Sequence, residues 1–165
     1  MVTDSEIQLA LACGDIPQTD LAYIAGLFDG EGSIYLSARY GRCRVEWQIT
    51  SCDRALLEWV QLKVGGHLYP RHIITHSSQI AFYQQSYDLS ITKSLHLKFL
   101  INALLPYLKT KKLRMEYALQ IISGDRDRVN QPRSKQYWKR LIDLVNEANQ
   151  NAPPGRPQYG LIKTD

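Results

Sequence analysis

The chain has 165 residues, 20 Lys plus Arg against 16 Asp plus Glu, and 44% apolar residues, which suits one ordered domain able to bury about two thirds of its unfolded surface. No apolar run approaches the ~18 residues that mark a membrane span, and an acidic start without Lys or Arg (Asp4, Glu6, Asp15) is unlike a signal or transit peptide, so an intracellular protein with no membrane contact is expected. Cys13, Cys43 and Cys52 are odd in number and show no CxxC spacing, which argues against a disulfide framework or a zinc site and for free thiols in a reducing compartment.

A short amphipathic stretch over 5–13 ends at Gly14, and Pro17 punctuates a fresh start, so residues 1–18 are expected to be an extension to the main domain. Thr19 is a suitable N-cap for a helix from Asp20 to about Phe28, with Asp20 in the first turn where the helix dipole favours an acid. Ala22, Gly26 and Gly30 recur every four residues and leave one face of this helix almost bare of side chains. Glycine costs about 1 kcal/mol in a helix relative to alanine, so the bare face implies close approach of another backbone, from the same chain or from a second copy.

After Gly32 the period switches to two. Ile34, Leu36 and Ala38, then Cys43, Val45, Trp47 and Ile49 beyond a Tyr40-Gly41 turn, form the apolar face of a β-hairpin. Its other face carries Tyr35, Ser37, Arg39, Arg42, Arg44, Glu46 and Gln48, side chains of the kind that bond base edges and phosphates. Residues 1–38 hold six acids and no base, leaving all 20 bases against ten acids in the remainder. Two acid-free basic clusters stand out there, Arg39-Arg42-Arg44 and Lys109-Lys111-Lys112-Arg114; they suit a phosphate backbone or, more simply, a solvated face.

Asp53 can cap a helix running to Val64, with Leu56, Leu57, Val60 and Val64 on its apolar stripe and Gly65-Gly66 as its stop. A second strand pair is expected from His67 to Ile74 and in a run ending Tyr87-x-Leu89-x-Ile91, around a turn near 75–79, with Tyr69, Arg71, Gln84, Ser86 and Asp88 opposite the apolar parity. Helices follow over about 93–104, stopped by Pro106, over 112–122, closed by Gly124, and over about 134–149. This order makes the main domain (19–150) an α+β fold in which helices cover one face of an antiparallel sheet and leave the other open, with 151–165 as a surface tail.

The segment Tyr23-Ile24-Ala25-Gly26-Leu27-Phe28-Asp29-Gly30-Glu31-Gly32-Ser33 closely resembles the LAGLIDADG signature of homing endonucleases. As a calcium loop it fails, because Ile34 and Tyr40 stand where Gly and Glu are needed. The likeness continues in Trp47-Gln48-Ile49-Thr50, in Tyr87-x-Leu89-Ser90, Leu95-His96 and Phe99-Leu100, and in Leu104-x-Pro106-Tyr107-Leu108-Lys109-x-Lys111. About residues 19–123 are similar to the single-motif, homodimeric members typified by endonucleases of green-algal chloroplast ribosomal RNA introns. The resemblance implies the αββαββα fold of that family with extra C-terminal helices, and location in a chloroplast if encoded in such an intron or otherwise in a prokaryotic cytoplasm.

It implies, further, a site-specific, metal-dependent double-strand DNA endonuclease that leaves short 3′ overhangs. Phosphodiester hydrolysis needs divalent metal to generate hydroxide and stabilise the leaving oxygen; Glu31 is the carboxylate expected on Mg²⁺ (or Mn²⁺), and the resemblance adds the Gly30 carbonyl. One chain supplies one such carboxylate, so Ala22, Gly26 and Gly30 are expected to pack on a two-fold mate and bring two Glu31 side chains together. Lys111 resembles the family's active-site lysine, Arg54 can fill its arginine role, and Ser51 stands where the family often has glutamine. Lys109 joins the DNA-contacting residues, whereas His67, His72, His76 and His96 lack a metal-binding arrangement and read as structural or DNA-adjacent. A strand of eight residues spans about 27 Å, or roughly eight base pairs at ~3.4 Å each, so a homodimer suits a long pseudo-palindromic site. The rival reading is a non-cleaving intron-RNA maturase or DNA-binding regulator on the same fold; retention of both Glu31 and Lys111 favours the nuclease.

Overall fold

A computed structural model describes residues 14, 16–39, 42–71, 85–126 and 135–151. In chain order these form α1 (Gln18–Glu31), β1 (Gly32–Arg39), β2 (Arg42–Ser51), α2 (Arg54–Val64), β3 (His67–Pro70), β4 (Tyr87–Ile91), α3 (Ser94–Leu104), α4 (Lys112–Arg126) and α5 (Lys135–Gln150). The four strands make one antiparallel sheet in the order β1-β2-β4-β3. Ile34, Leu36, Val45, Trp47, Ile49, Leu89 and Ile91 face one way and are buried under the helices in a single core. No helix among the described residues is long and apolar enough to cross a membrane.

α1 supplies Leu21, Ile24, Ala25 and Phe28 to that core, each large side chain adding about 1.5–3 kcal/mol by burial. Phe28 stacks on Trp47 at 5.1 Å and 12°, tying α1 to β2. The helix begins at Gln18, before the expected Thr19 cap: Pro17 holds the N-cap position without a side-chain bond, and its carbonyl accepts from Asp20 and Leu21. A fixed φ near −65° makes proline a ready helix starter, which removes the need for the threonine.

No loop separates α1 from β1. The Gly32 N–H donates to the Phe28 carbonyl as the chain turns from helix to strand, and a Cβ on Gly32 would lie 2.1 Å from the Phe28 ring and 2.6 Å from that carbonyl. Only glycine fits there.

Asp53 caps α2 as expected, accepting from the Leu56 N–H at 3.0 Å, and Gly65 and Gly66 (φ 71° and 104°) end it. β3 is described only to Pro70, with the Arg71 N–H still bonded to the Ser86 carbonyl. The expected turns at 40–41 and 75–79, the segments 1–13 and 152–165, and Cys13, His72, His76 and Gln84 lie outside the described residues. Gly124 does not close α4, which continues to Arg126. Arg114 fastens α4 to its neighbours: Nε donates to the Ile34 carbonyl on edge strand β1 at 3.0 Å, Nη1 to the Ala148 carbonyl at 2.6 Å and Nη2 to Asn149 Oδ1 at 2.9 Å.

His96 is structural. It is buried in α3 and hydrogen-bonds the Val64 carbonyl at the end of α2 through Nε2, so the neutral ring must carry its proton on Nε2. Burial holds its pKa below the ordinary value, outweighing the bond to Val64, and Lys93 pushes the same way. Because the folded-state pKa lies below the unfolded one, the stability contributed by neutral His96 is complete above about pH 6.5 and lost as pH falls toward the depressed value. Urea titrations from pH 7.5 to 5 should show stability falling, and His96→Gln should flatten that slope.

Candidate active site and nucleic-acid interface

Glu31 is the last residue of α1 and stands exposed at the start of β1. Among the described residues its carboxylate has no hydrogen bond or ion pair. A helix C-terminus carries partial negative charge, so an acid there costs about 0.3–1 kcal/mol and invites a cation.

Asp29, two positions earlier, has a different role. Two helical residues differ by about 200° around the axis, so the carboxylates diverge. Asp29 Oδ2 accepts from the Lys109 N–H at 2.6 Å and the Thr110 N–H at 3.2 Å; Oδ1 accepts from the Lys111 N–H and the Thr110 hydroxyl, both at 3.0 Å. Burial alone would raise its pKa, but these bonds outweigh it and hold the carboxyl below its usual value.

The Lys111 side chain returns the contact. It is 6% exposed, donates through Nζ to the Phe28 carbonyl at 2.6 Å and to the Asp29 carbonyl, and lies 5.4 Å from the Phe28 ring centroid. Its charge thus neutralises the negative end of α1. The basic cluster following Leu108 is therefore half internal: Lys111 and Arg114 bond backbone carbonyls, and Lys109 and Lys112 are the exposed pair.

Ser51 and Arg54 lie at the same end of the sheet. Gly32, which follows Glu31, pairs with Ile49, and Ser51 pairs with Tyr87. The Ser51 hydroxyl accepts from the Asp53 N–H at 3.0 Å. Arg54 is exposed, bonds Glu58 at 2.8 Å and lies 5.7 Å from the Tyr87 ring centroid. The described residues contain no group of three His, Cys, Asp or Glu able to hold a metal. One chain offers the Glu31 carboxylate and the adjacent Gly30 carbonyl, a donor set that suits a hard divalent ion retaining waters and phosphate oxygens, and not a closed zinc site.

The bare face of α1 is open. Ala22, Gly26 and Gly30 are exposed, and a Cβ on either glycine would meet nothing within 4 Å. No neighbour among the described residues explains these glycines.

The sheet's second face carries the expected polar set, with Tyr35 opposite Glu46, Ser37 opposite Arg44 and Ser33 opposite Gln48. Tyr69 and Arg71 are exposed and Ser86 is half-buried; the side chains of Arg39 and Arg42 lie outside the described set. Glu46 is fixed between Arg44 (2.7 Å) and the Ser90 hydroxyl (2.8 Å). Asp88 lies on this face but only 5% exposed, accepting from the Thr50 hydroxyl at 2.6 Å, so it is a buried support and not a presented side chain. Burial, then Asp88 and Glu46, raise the Tyr69 pKa.

The LAGLIDADG-like domain family matches residues 18–128. The chain belongs to the LAGLIDADG family. Among solved structures it is similar to the homing endonuclease I-CvuI in complex with its target in 2 mM Ca (TM-score 0.68, 19% identity, 87% of this chain and 88% of that chain). It is also similar to the archaeal intron-encoded homing endonuclease I-Vdi141I complexed with DNA (TM-score 0.67, 22% identity, 87% and 90%). The meganuclease I-AabMI, bound to uncleaved DNA, matches over 76% of this chain but 43% of its own length (TM-score 0.57, 23% identity). Among curated proteins none matches the sequence. These likenesses establish the LAGLIDADG α+β fold, with the motif itself forming α1 and its exit into β1.

Sequence reasoning missed Asp29 as a structural acid and the pairing of Thr50 and Ser90 with Asp88 and Glu46. The two hydroxyl residues share the strand parity of Gln48 and were legible from it; the Asp29 contacts span 80 to 82 positions and left no local signal. Thr50→Val would leave the buried Asp88 carboxylate without its hydroxyl partner. Stability in urea should fall by about 1–3 kcal/mol, whereas an unchanged midpoint would show that bond to be idle.

Proposed function

We propose that the chain is a site-specific, divalent-metal-dependent DNA endonuclease that acts as a homodimer on a long pseudo-palindromic duplex site and leaves short 3′ overhangs. The observation that carries this reading is the exposed Glu31 carboxylate, unpartnered among the described residues, at the C-terminal end of a helix whose adjoining face is bare glycine.

Family membership supports DNA as substrate, since the similar I-CvuI and I-Vdi141I structures are complexes with DNA. The presence of Ca or Mg in I-CvuI structures supports a divalent ion. Glu31 and the Gly30 carbonyl would hold it. When bound, such an ion acidifies a water and stabilises charge on the phosphate and leaving oxygen. Lys111, seated behind the last turn of α1, adds fixed positive charge near that position, Arg54 is free to swing from Glu58 toward a phosphate, and Ser51 is placed to bond water.

Packing the Ala22/Gly26/Gly30 stripe on its symmetry mate would bring two Glu31 carboxylates to the axis, one for each DNA strand. The open face of the sheet would then lie along the groove, with Arg44, Glu46 and Gln48 reading base edges and Lys109 contacting phosphate.

Glu31→Gln keeps the size and polarity of the side chain but removes its charge. DNA binding should persist while cleavage of both strands falls below detection, as followed by gel retardation and nicking of one labelled duplex; cleavage at the natural rate would remove Glu31 from the site. A Cβ on Gly26 meets nothing among the described residues, so Gly26→Leu should yield a folded monomer by sedimentation equilibrium. A dimer of unchanged strength would place the interface elsewhere.

A further inference from the structure

The carboxylate of Asp29 and the ammonium of Lys111 form a reciprocal clasp. The acid gathers three successive N–H groups of the 109–111 turn and the Thr110 hydroxyl, and the lysine of that turn reaches back to the Phe28 and Asp29 carbonyls. Glu31 lies within the next half turn, with no loop between it and β1 to absorb error. Fixing a helix end from both sides in this way sets where its terminal carboxylate stands.

We propose that Asp29 is a positioning residue for cleavage: it holds the 109–111 turn so that Lys111 seats beneath the last turn of α1 and sets Gly30 and Glu31 for the reaction. This rests on the nuclease reading above. The geometry gives Asp29 no opening for a metal or phosphate, since both its oxygens are filled by N–H and O–H donors of one turn. A misplacement of about 1 Å at a reacting group can cost about 100-fold in rate, and the clasp acts on that coordinate.

Asp29→Asn replaces one acceptor oxygen by an NH₂ that opposes the backbone donors. With a duplex recovered by selection from a randomised library as probe, single-turnover cleavage should slow by about 100-fold while the Kd measured in Ca²⁺ stays within about twofold. Amide exchange at Lys109, Thr110 and Lys111 should accelerate. A double-mutant cycle carries the assignment: if Asp29 acts through Lys111, Asp29→Asn adds little to Lys111→Ala, whereas a role in general stability would add in full and weaken binding.

If Asp29→Asn does not fold, Thr110→Ala, at an exposed position, removes one donor and should still slow cleavage with Kd unchanged. Natural-rate cleavage by the folded Asp29→Asn chain, or by Thr110→Ala in its place, overturns the proposal, as do additive effects with Lys111→Ala or unaltered amide exchange. Failure of the natural chain to cleave any duplex overturns the nuclease reading, and the proposal with it.

Discussion

The last turn of α1 is the constraint on which the working end of this molecule depends. Helix and strand are joined there without a loop, Gly32 has no room for a Cβ against Phe28, and the Phe28 carbonyl accepts from both the Gly32 N–H and the Lys111 ammonium. A helix end left to itself frays, because its last carbonyls lack partners. Here a cation buried behind the turn and a carboxylate gripping the cation's own backbone convert that weak point into a fixed one, and the exposed Glu31 inherits the rigidity.

The two acids of the motif show how local geometry separates roles that composition cannot. Asp29 and Glu31 are chemically similar and two positions apart, yet the helical twist turns one inward to the 109–111 turn and the other out to solvent. The first is satisfied by four donors and the second by none among the described residues. The same partition recurs on the sheet, where Asp88 is buried beneath its neighbours and bonded to Thr50 while Glu46 remains half-buried between Arg44 and Ser90. Each acid is held by a neighbour, Asp88 by a neutral hydroxyl and Glu46 by a guanidinium and a hydroxyl.

Much of this architecture was legible because it depends on short-range rules. Alternating parity located both faces of the β1–β2 hairpin, Asp53 and Gly65 bounded α2, and the bare stripe of α1 followed from a spacing of four. The misreadings arose where a distant or backbone effect prevailed. Pro17 started α1 ahead of Thr19, and α4 runs through Gly124 to Arg126. Lys111 and Arg114 stood in a cluster suited to a phosphate backbone or a solvated face, and the fold brings both to carbonyls of α1, β1 and α5, contacts that no local pattern encodes. Gly26 and Gly30 show the converse: the sequence flagged a close approach, and the fold leaves both glycines uncovered among the described residues.

The central claim is that an exposed acid on a glycine-faced helix makes this chain a cutter of specific DNA. It is tested most directly by incubating the protein with a randomised duplex library in Mg²⁺ and in Ca²⁺ and sequencing both the bound and the cleaved molecules. The account predicts one long pseudo-palindromic sequence enriched in both fractions, cut on both strands in Mg²⁺ and retained whole in Ca²⁺. Enrichment of bound duplexes with no cut molecules in Mg²⁺, Mn²⁺ or any other divalent ion would contradict it and leave a binding protein on a nuclease fold.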